Sequence, residues 1–264
     1  MSKKEDRING LVTILKESNG ASVKELATEF GVSEMTIRRD LKELEERNII
    51  DNFYGAAVFN PREDNPLNLK GENEMNYTIS KNSHLMEFEK NKIGKKAVEF
   101  IENDDVVAID VGTTTEKLAQ NIDDDLSFTA LIFSANNLIH LLGKPNVEIV
   151  LPGGSFHRDT GMFESLEGLS IVDNTRATKL FLSAAGIHDR LGLTCAYPYE
   201  VAAKKRVIKN SLEVILLADS TKFGNVSPAF ICDIDCVDKI VTDSGISEKW
   251  IKIIKEKGIE LIIV

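Results

Sequence analysis

Residues 22–47 read SVKELATEFGVSEMTIRRDLKELEER, and the spacing inside this stretch decides how the start of the chain folds. Ser22 and Glu25 stand three apart as a capping box, ahead of a helix face made by Leu26, Ala27 and Phe30. Gly31 stops that helix. Ser33 is the expected N-cap of the next, and Ile37, Leu41 and Leu44 form its buried stripe. Ala27, Gly31 and Ile37 thus fall where a helix-turn-helix needs three things in order. These are a small residue at the helix crossing, a residue that accepts positive φ in the turn, and an apolar residue that pins the second helix. With the stripe inward, a step of about 100° per residue turns Met35, Arg39 and Lys42 outward. Ser33, Glu34 and Thr36 stand at the end where recognition helices meet base edges, and Arg38 flanks them within reach of a phosphate. Glu43, Glu45 and Glu46 repel phosphate and confine contact to the first turns.

Working outward, Ile8, Leu11, Val12 and Leu15 recur at helical spacing, and Asn19-Gly20 ends that helix. Downstream, alternating apolar residues from Asp51 to Phe59 around Gly55 predict a small hairpin, the wing of a winged helix. Residues 61–91 then lose periodicity and are rich in Asn, Glu and Lys, with Pro61 and Pro66 near the start, as in a linker. The expected division is a DNA-reading domain over 1–60, a linker over 61–91 and a larger domain over 92–264.

From Lys92 the texture alternates. A helix face at Ile93, Ala97 and Ile101 precedes a strand at 106–109. Further strands are expected at 130–133, 147–151, 180–184, 214–218, 240–242 and 261–264, with helices at 115–120, 200–210 and 247–257. The fold class read from this is α/β: a small N-terminal winged helix-turn-helix followed by a larger domain on a mostly parallel sheet covered on both faces. Ligands of such sheets bind beyond the carboxyl ends of the strands. Four loops fall there. In Asp110-Val111-Gly112-Thr113-Thr114-Thr115, Gly112 allows close backbone approach and three hydroxyls gather where a helix N-terminus attracts an anion. The others are Ser134-Ala135-Asn136, Pro152-Gly153-Gly154, and Asp219 to Gly224, whose Lys222 can neutralise a phosphate. GxxxxGK[ST] and GxGxxG are both absent, which disfavours nucleotide loops, and no cofactor is expected.

A formal net charge of −10 argues against nucleic acid, so the case for DNA rests on the local pattern. Three cysteines, Cys195, Cys232 and Cys236, are too few and odd in number for a disulfide framework and point to a reducing compartment. Without a neighbouring His they do not suggest a metal site. No apolar run reaches the roughly 20 residues of a membrane span, and the polar N-terminus does not read as a signal, so a cytoplasmic protein is expected.

The run Thr36-Ile37-Arg38-Arg39-Asp40-Leu41, within Ser22 to Arg47, resembles the DNA-binding signature of the DeoR family of transcription regulators. The stretches Ile93-Gly94, Asp110 to Thr114, Pro152-Gly153-Gly154 and Ala218 to Gly224 resemble that family's effector domain, itself similar to ribose-5-phosphate isomerase. The resemblance implies that Thr36, Arg38 and Arg39 face DNA, and that residues 112–115 and Lys222 cradle a phosphate. It also implies that Asn136, Glu200 and Lys204 lie near a sugar, although Glu200 and Lys204, one helical turn apart, can equally be an ion pair. It further implies a repressor of carbohydrate-metabolism genes that binds a double-stranded operator as a homo-oligomer and is released by a phosphorylated sugar. The family's wing carries basic and Gly-Gly residues where this chain has Asn52, Tyr54 and Ala56, and often an Asp where it has Ala185. The alternative is an isomerase with an added DNA-binding domain. Proton shuttling needs a carboxylate base, yet Ser183-Ala184-Ala185-Gly186-Ile187 offers none before Asp189, which leaves Glu200.

Overall fold

The computed structural model describes residues 3–18, 21–46, 50–53, 56–59 and 86–264. The expected helix stop at Asn19-Gly20, Tyr54 and Gly55 of the wing, and the linker from 61 to 85 lie outside the described residues. So do the side chains of Ser22, Glu43, Glu45, Glu46, Asn52 and Ala56. The chain divides into two units, Met1–Lys70 and Gly71–Val264.

The first unit holds α1 (Lys3–Ser18), β1 (Ala21–Ser22), α2 (Val23–Phe30), α3 (Glu34–Glu46), β2 (Ile50–Phe53) and β3 (Ala56–Phe59). The three strands form an antiparallel sheet in the order β1-β3-β2, with Ser22 opposite Ala56 and Asn52 opposite Ala57. Ile8, Leu11 and Leu15 of α1 pack with Leu26 and Ala27 of α2 and with Ile37, Leu41 and Leu44 of α3, so the helical periodicities converge on one core. Gly31, at φ 61°, makes the left-handed turn between α2 and α3. Asp40 is a polar member of that interior: it is buried, and Arg7 Nε donates to its Oδ2 at 2.6 Å, tying α3 to α1.

The second unit is built on seven parallel strands in the order β15-β14-β12-β9-β4-β5-β6. These are β4 (Val106–Ile109), β5 (Phe128–Ile132), β6 (Val147–Val150), β9 (Ala177–Leu182), β12 (Ser211–Leu217), β14 (Lys239–Thr242) and β15 (Glu260–Ile263). Side chains alternate between faces along each strand. Ala108, Leu180, Leu182, Val214 and Leu216 face one core, with α7 (Leu166–Asn174), α8 (Pro198–Lys209) and α9 (Glu248–Glu256) over them. Val107, Ile109, Phe181, Ile215 and Leu217 face the other, under α4 (Glu87–Val98), α5 (Thr113–Asn121) and α6 (Ala135–Leu141). Helix α4 opens at Glu87, ahead of the domain start expected at Lys92. Strand order builds outward from β4 through β5 and β6 on one side, and from β9 through β12, β14 and β15 on the other. The reversal lies between β4 and β9.

Two antiparallel additions carry no alternating strand–helix signal. They are the hairpin β7 (Ser155–His157) with β8 (Met162–Glu164), and a three-stranded sheet of β10 (Gly186–His188), β11 (Gly192–Cys195) and β13 (Ala229–Cys232). The sparse cysteine count argues against disulfides. The structure instead joins Cys232 to Cys236, because the 3-10 turn Ile234–Cys236 returns the chain and brings their Cα atoms to 6.5 Å, while Cys195 stays free and buried. Among the described residues no helix is long and apolar enough to cross a membrane.

Helices α4 and α5 cross at Gly94, where an added Cβ would stand 2.6 Å from the Lys117 carbonyl carbon. Gly94→Ala gains about 1 kcal/mol of helix propensity but forces backbone against backbone, and such overpacking costs about 1–3 kcal/mol. We expect the variant to unfold roughly 2–4 °C below the parent. A thermal midpoint at or above the parent's would show that the crossing relaxes around the methyl group.

Candidate functional site

Loops at the carboxyl ends of β4 and β9, where strand order reverses, meet in a pocket, as open α/β sheets dictate. Asp110 leaves β4 buried, and its Oδ2 accepts from Ser183 N at 2.9 Å, from Ser183 Oγ at 3.0 Å and from Lys204 Nζ. The two strand ends are thus clamped by one carboxylate. Gly112 precedes α5 without a side-chain cap, and an added Cβ there would stand 2.7 Å from Ser183 Cβ. Only a glycine lets the turn pass so close to β9. Thr113 and Thr114 follow as buried pocket residues, and the N-terminal amides of α5 carry the positive end of its dipole.

The opposite wall comes from α8. Tyr197 N donates to Glu200 Oε1 at 3.0 Å, which sets the first turn and aims Glu200 inward. Lys204, one turn on, lies 3.6 Å from Glu200 Oε2 and also contacts Asp110. Burial pulls the Lys204 pKa down, but Asp110 and Glu200 together hold it above the ordinary lysine value. Burial raises the Glu200 pKa, with Lys204 opposing and Asp110 adding to the rise. Cys195 lines the same wall, its thiol pushed up to about 12 by burial and by Glu200, so it is neutral. Ala184, Ala185 and Ala196 complete an apolar flank, and Lys222 stands at the rim. Among the described residues Lys222 has no ion-pair partner. The enclosed cavity is about 20 Å³, room for a single water; a larger occupant requires a wall to move.

Of the residues singled out from sequence, Gly112, Thr113, Thr114, Glu200, Lys204 and Lys222 line this pocket, and Asp110 backs it. Thr115 turns away: it is buried, and its hydroxyl donates to the Asp110 and Gly112 carbonyls at 2.7 and 2.9 Å. Asn136 is outside the lining and donates to Glu116 Oε2 at 3.0 Å. Gly153 and Gly154 are also outside it. Both adopt positive φ at the entry to the β7–β8 hairpin, where a Cβ on Gly154 would stand 2.3 Å from the Glu164 carbonyl oxygen. Sequence reading missed Ser183 and Cys195. Ser183 falls inside the strand expected at 180–184, whereas β9 ends at Leu182 and leaves Ser183 in the loop beyond it; Cys195 carried no signal.

In the first unit, Ser33 Oγ accepts from Thr36 N at 3.2 Å and so caps α3. Met35, Arg38, Arg39 and Lys42 are exposed along one side, Met35 at 73%. Glu34 is exposed too and lies 3.8 Å from Arg38.

Lys204→Met leaves Asp110 and Glu200 buried without their cation, and losing one partner of a buried pair costs about 3–5 kcal/mol. A carboxylate whose folded pKa is raised adds a cost that sets in as pH climbs from its unfolded value of 4.5 through the folded one. In the variant the Glu200 pKa rises further. The deficit in denaturant unfolding at pH 7 should therefore shrink at pH 5, and an equal deficit at both values would contradict the Glu200 assignment.

Comparison with known proteins matches the model described as the DeoR-like helix-turn-helix domain to residues 7–63, and that described as the DeoR C terminal sensor domain to residues 86–244. The deoxyribose operon repressor of Escherichia coli (strain K12) is 31% identical over 98% of this chain and 98% of its own. The HTH-type transcriptional regulator GolR of Listeria innocua is 29% identical over 96% of each chain. A solved ribose 5-phosphate isomerase A from Methanocaldococcus jannaschii superposes at a TM-score of 0.39 with 16% identity, covering 52% of this chain and 55% of that one, a likeness too loose to bear on chemistry. With both models matched in order and relatives aligned almost end to end, this chain belongs to the DeoR family.

Proposed function

We propose that the chain is a sequence-specific DNA-binding repressor of carbohydrate-metabolism genes, released from its operator by a phosphorylated sugar. The observation that carries this reading is the pocket at the β4/β9 reversal. There a helix N-terminus, two threonines and a lysine without an ion-pair partner among the described residues converge beside the Glu200–Lys204 pair. Backbone amides, hydroxyls and one cation are what a phosphate dianion requires. Glu200 and Lys204 suit sugar hydroxyls, and Ala184 and Ala185 accept the apolar faces of the ring. Residues 1–60 form the DNA-reading part, 92–264 the sensing part, and 61–91 connect them in sequence. The relatives' names as operon repressors support the same reading.

Catalysis is the weaker reading. Glu200 is the carboxylate that lines the pocket, and it is already engaged by the Tyr197 amide and by Lys204. Ser183, Ala184 and Ala185, after β9, supply no base. The chain works in the cytoplasm, and as a homo-oligomer, because readers of this kind bind paired half-sites.

For DNA, the reading assigns base contact to Ser33, Glu34, Met35, Thr36 and Arg39, and phosphate contact to Ser22, Arg38 and Lys42. Arg39 is exposed, so Arg39→Ala sacrifices little packing. A bidentate base contact is worth about 1–3 kcal/mol. Operator affinity, measured on duplexes recovered by selection from a random pool, should fall by roughly one to two orders of magnitude with an unchanged melting temperature. Unaltered affinity would remove Arg39 from the readout.

For the effector, calorimetry of the full chain against a panel of pentose and hexose phosphates and their unphosphorylated sugars is the direct test. One phosphosugar should bind, and its parent sugar at least 100-fold more weakly. Thr114→Ala combined with Lys222→Ala should abolish that binding while operator affinity is kept. Coupling is reciprocal, so DNA must weaken effector binding by the factor by which effector weakens DNA binding. A double variant that binds the phosphosugar like the parent would show that the phosphate lies elsewhere.

A further inference from the structure

A second lysine stands behind the turn that carries Lys222. Lys90, in the first turns of α4, is fully buried, and its Nζ lies 4.0 Å from Asp219 Oδ2. That oxygen is buried and accepts no hydrogen bond among the described residues. The other oxygen of Asp219 accepts from Thr221 N at 3.1 Å and from the Thr221 hydroxyl, and so shapes the 3-10 turn Ser220–Lys222. Asp243 Oδ1 holds the same turn through Ser220 N at 2.6 Å. One carboxylate, Asp219, therefore faces Lys90 on one side and sets the turn bearing Lys222 on the other. Helix α4 is also fastened to the other half of the pocket: Glu87 Oε1 takes the Lys117 ammonium of α5 at 2.8 Å, and Gly94 seats on the Lys117 backbone.

A buried ammonium costs several kcal/mol in desolvation, and a methionine would fill the same space. The core has no packing need for a cation at this position. Among the described residues, the charged groups around Lys90 are Asp219 and Lys222 from the strand-end turn, Glu87 from its own helix and Lys117 from α5. Burial pulls its pKa down to about 8, with Asp219 resisting.

We propose that Lys90 is a positioning residue of the phosphate site, which through Asp219 holds the Asp219–Gly224 turn, and with it Lys222, opposite the N-terminus of α5. The proposal rests on the reading that the effector phosphate sits at residues 112–114 and Lys222. It adds that α4, the first described element after the residues joining the two units in sequence, is fastened to both halves of that site.

The chain carries its own reporter. Trp250 is its single tryptophan and packs on Phe223 of the same turn at 5.4 Å between ring centroids. Sulfate is the probe, because it remains a dianion from pH 6 to pH 9. In the parent full-length chain, sulfate should shift Trp250 emission at pH 7, and Lys222→Ala should abolish the shift. The midpoint should rise severalfold by pH 9, where Lys90 has lost its proton. Lys90→Met and Asp219→Asn should each raise the midpoint about tenfold at pH 7 and flatten its dependence between pH 7 and pH 9.

A Lys90 that serves stability alone would lower the melting temperature of Lys90→Met and leave the midpoint and its pH dependence as in the parent. With Lys222→Ala still abolishing the shift, that result overturns the proposal and leaves the phosphate reading standing. A parent blind to sulfate, or a Lys222→Ala chain that responds like the parent, removes the phosphate reading and this proposal with it. Where Lys90→Met does not fold, Asp219→Asn decides by the same comparison.

Discussion

The contact between Lys204 and Asp110 is the constraint on which the rest of the sensing unit's geometry depends. Asp110 follows β4, Ser183 follows β9, and Lys204 belongs to α8, yet all three meet at a single carboxylate oxygen. Buried charge is tolerated only when paired and hydrogen-bonded. This carboxylate therefore fixes where two strands stop and where a helix over the sheet must sit. The anion-attracting end of α5 faces Glu200 across a narrow gap as a consequence, and not by any local preference of residues 112–114. The same logic explains why Gly112 has no substitute: the clamp draws β9 so near that a methyl group would strike Ser183.

The two units solve their polar interiors alike. In the helix-turn-helix, buried Asp40 takes Arg7 from α1, so one ion pair ties α3 to α1. Asp40 belongs to the run that resembles the family's DNA signature, but its side chain works inward. Arg38 and Arg39 beside it are exposed. A motif that looks like a single functional block is split by helical periodicity into a packing half and a reading half. Helical spacing accounts for it, although Asp40 was not singled out from sequence: it stands three residues after Ile37 and one before Leu41, on the inward stripe.

An acidic chain can read DNA because charge is organised locally. The net charge of −10 belongs to the whole sequence, whereas phosphate contact depends on the few side chains within a Debye length of the duplex. Much of the second unit's acidity is spent internally or at its surface in pairs such as Asp105 with Lys179, Asp173 with Arg206 and Glu213 with Lys239. Composition weighed against nucleic acid; the exposed side of α3, with Arg38, Arg39 and Lys42, weighs the other way.

The sequence by itself determined whatever local periodicity encodes. Apolar residues at helical spacing in α1, α2 and α3, and apolar runs of strand length between helices, fix element type and a parallel sheet, because each element must bury one face. The glycine-threonine turn after β4 was legible for the same reason, as a strand-to-helix joint. What only the tertiary structure decided is which strand ends meet. Strand order is set by long-range pairing and leaves no mark within a window of a few residues, so Ser183 and Cys195 could not be joined to Asp110 in advance. Thr115 looked like a ligand for an anion, but its hydroxyl is consumed by two carbonyls of its own turn. Gly153, Gly154 and Asn136 serve a hairpin and a helix start outside the pocket. The β7–β8 hairpin and the β10-β11-β13 sheet went unread because short antiparallel strands without alternation are stabilised by pairing and not by their own sequence. Lys90 fell inside the span 61–91 expected to be a linker. Its burial against Asp219 exists only because α4 folds back over the far half of the sheet.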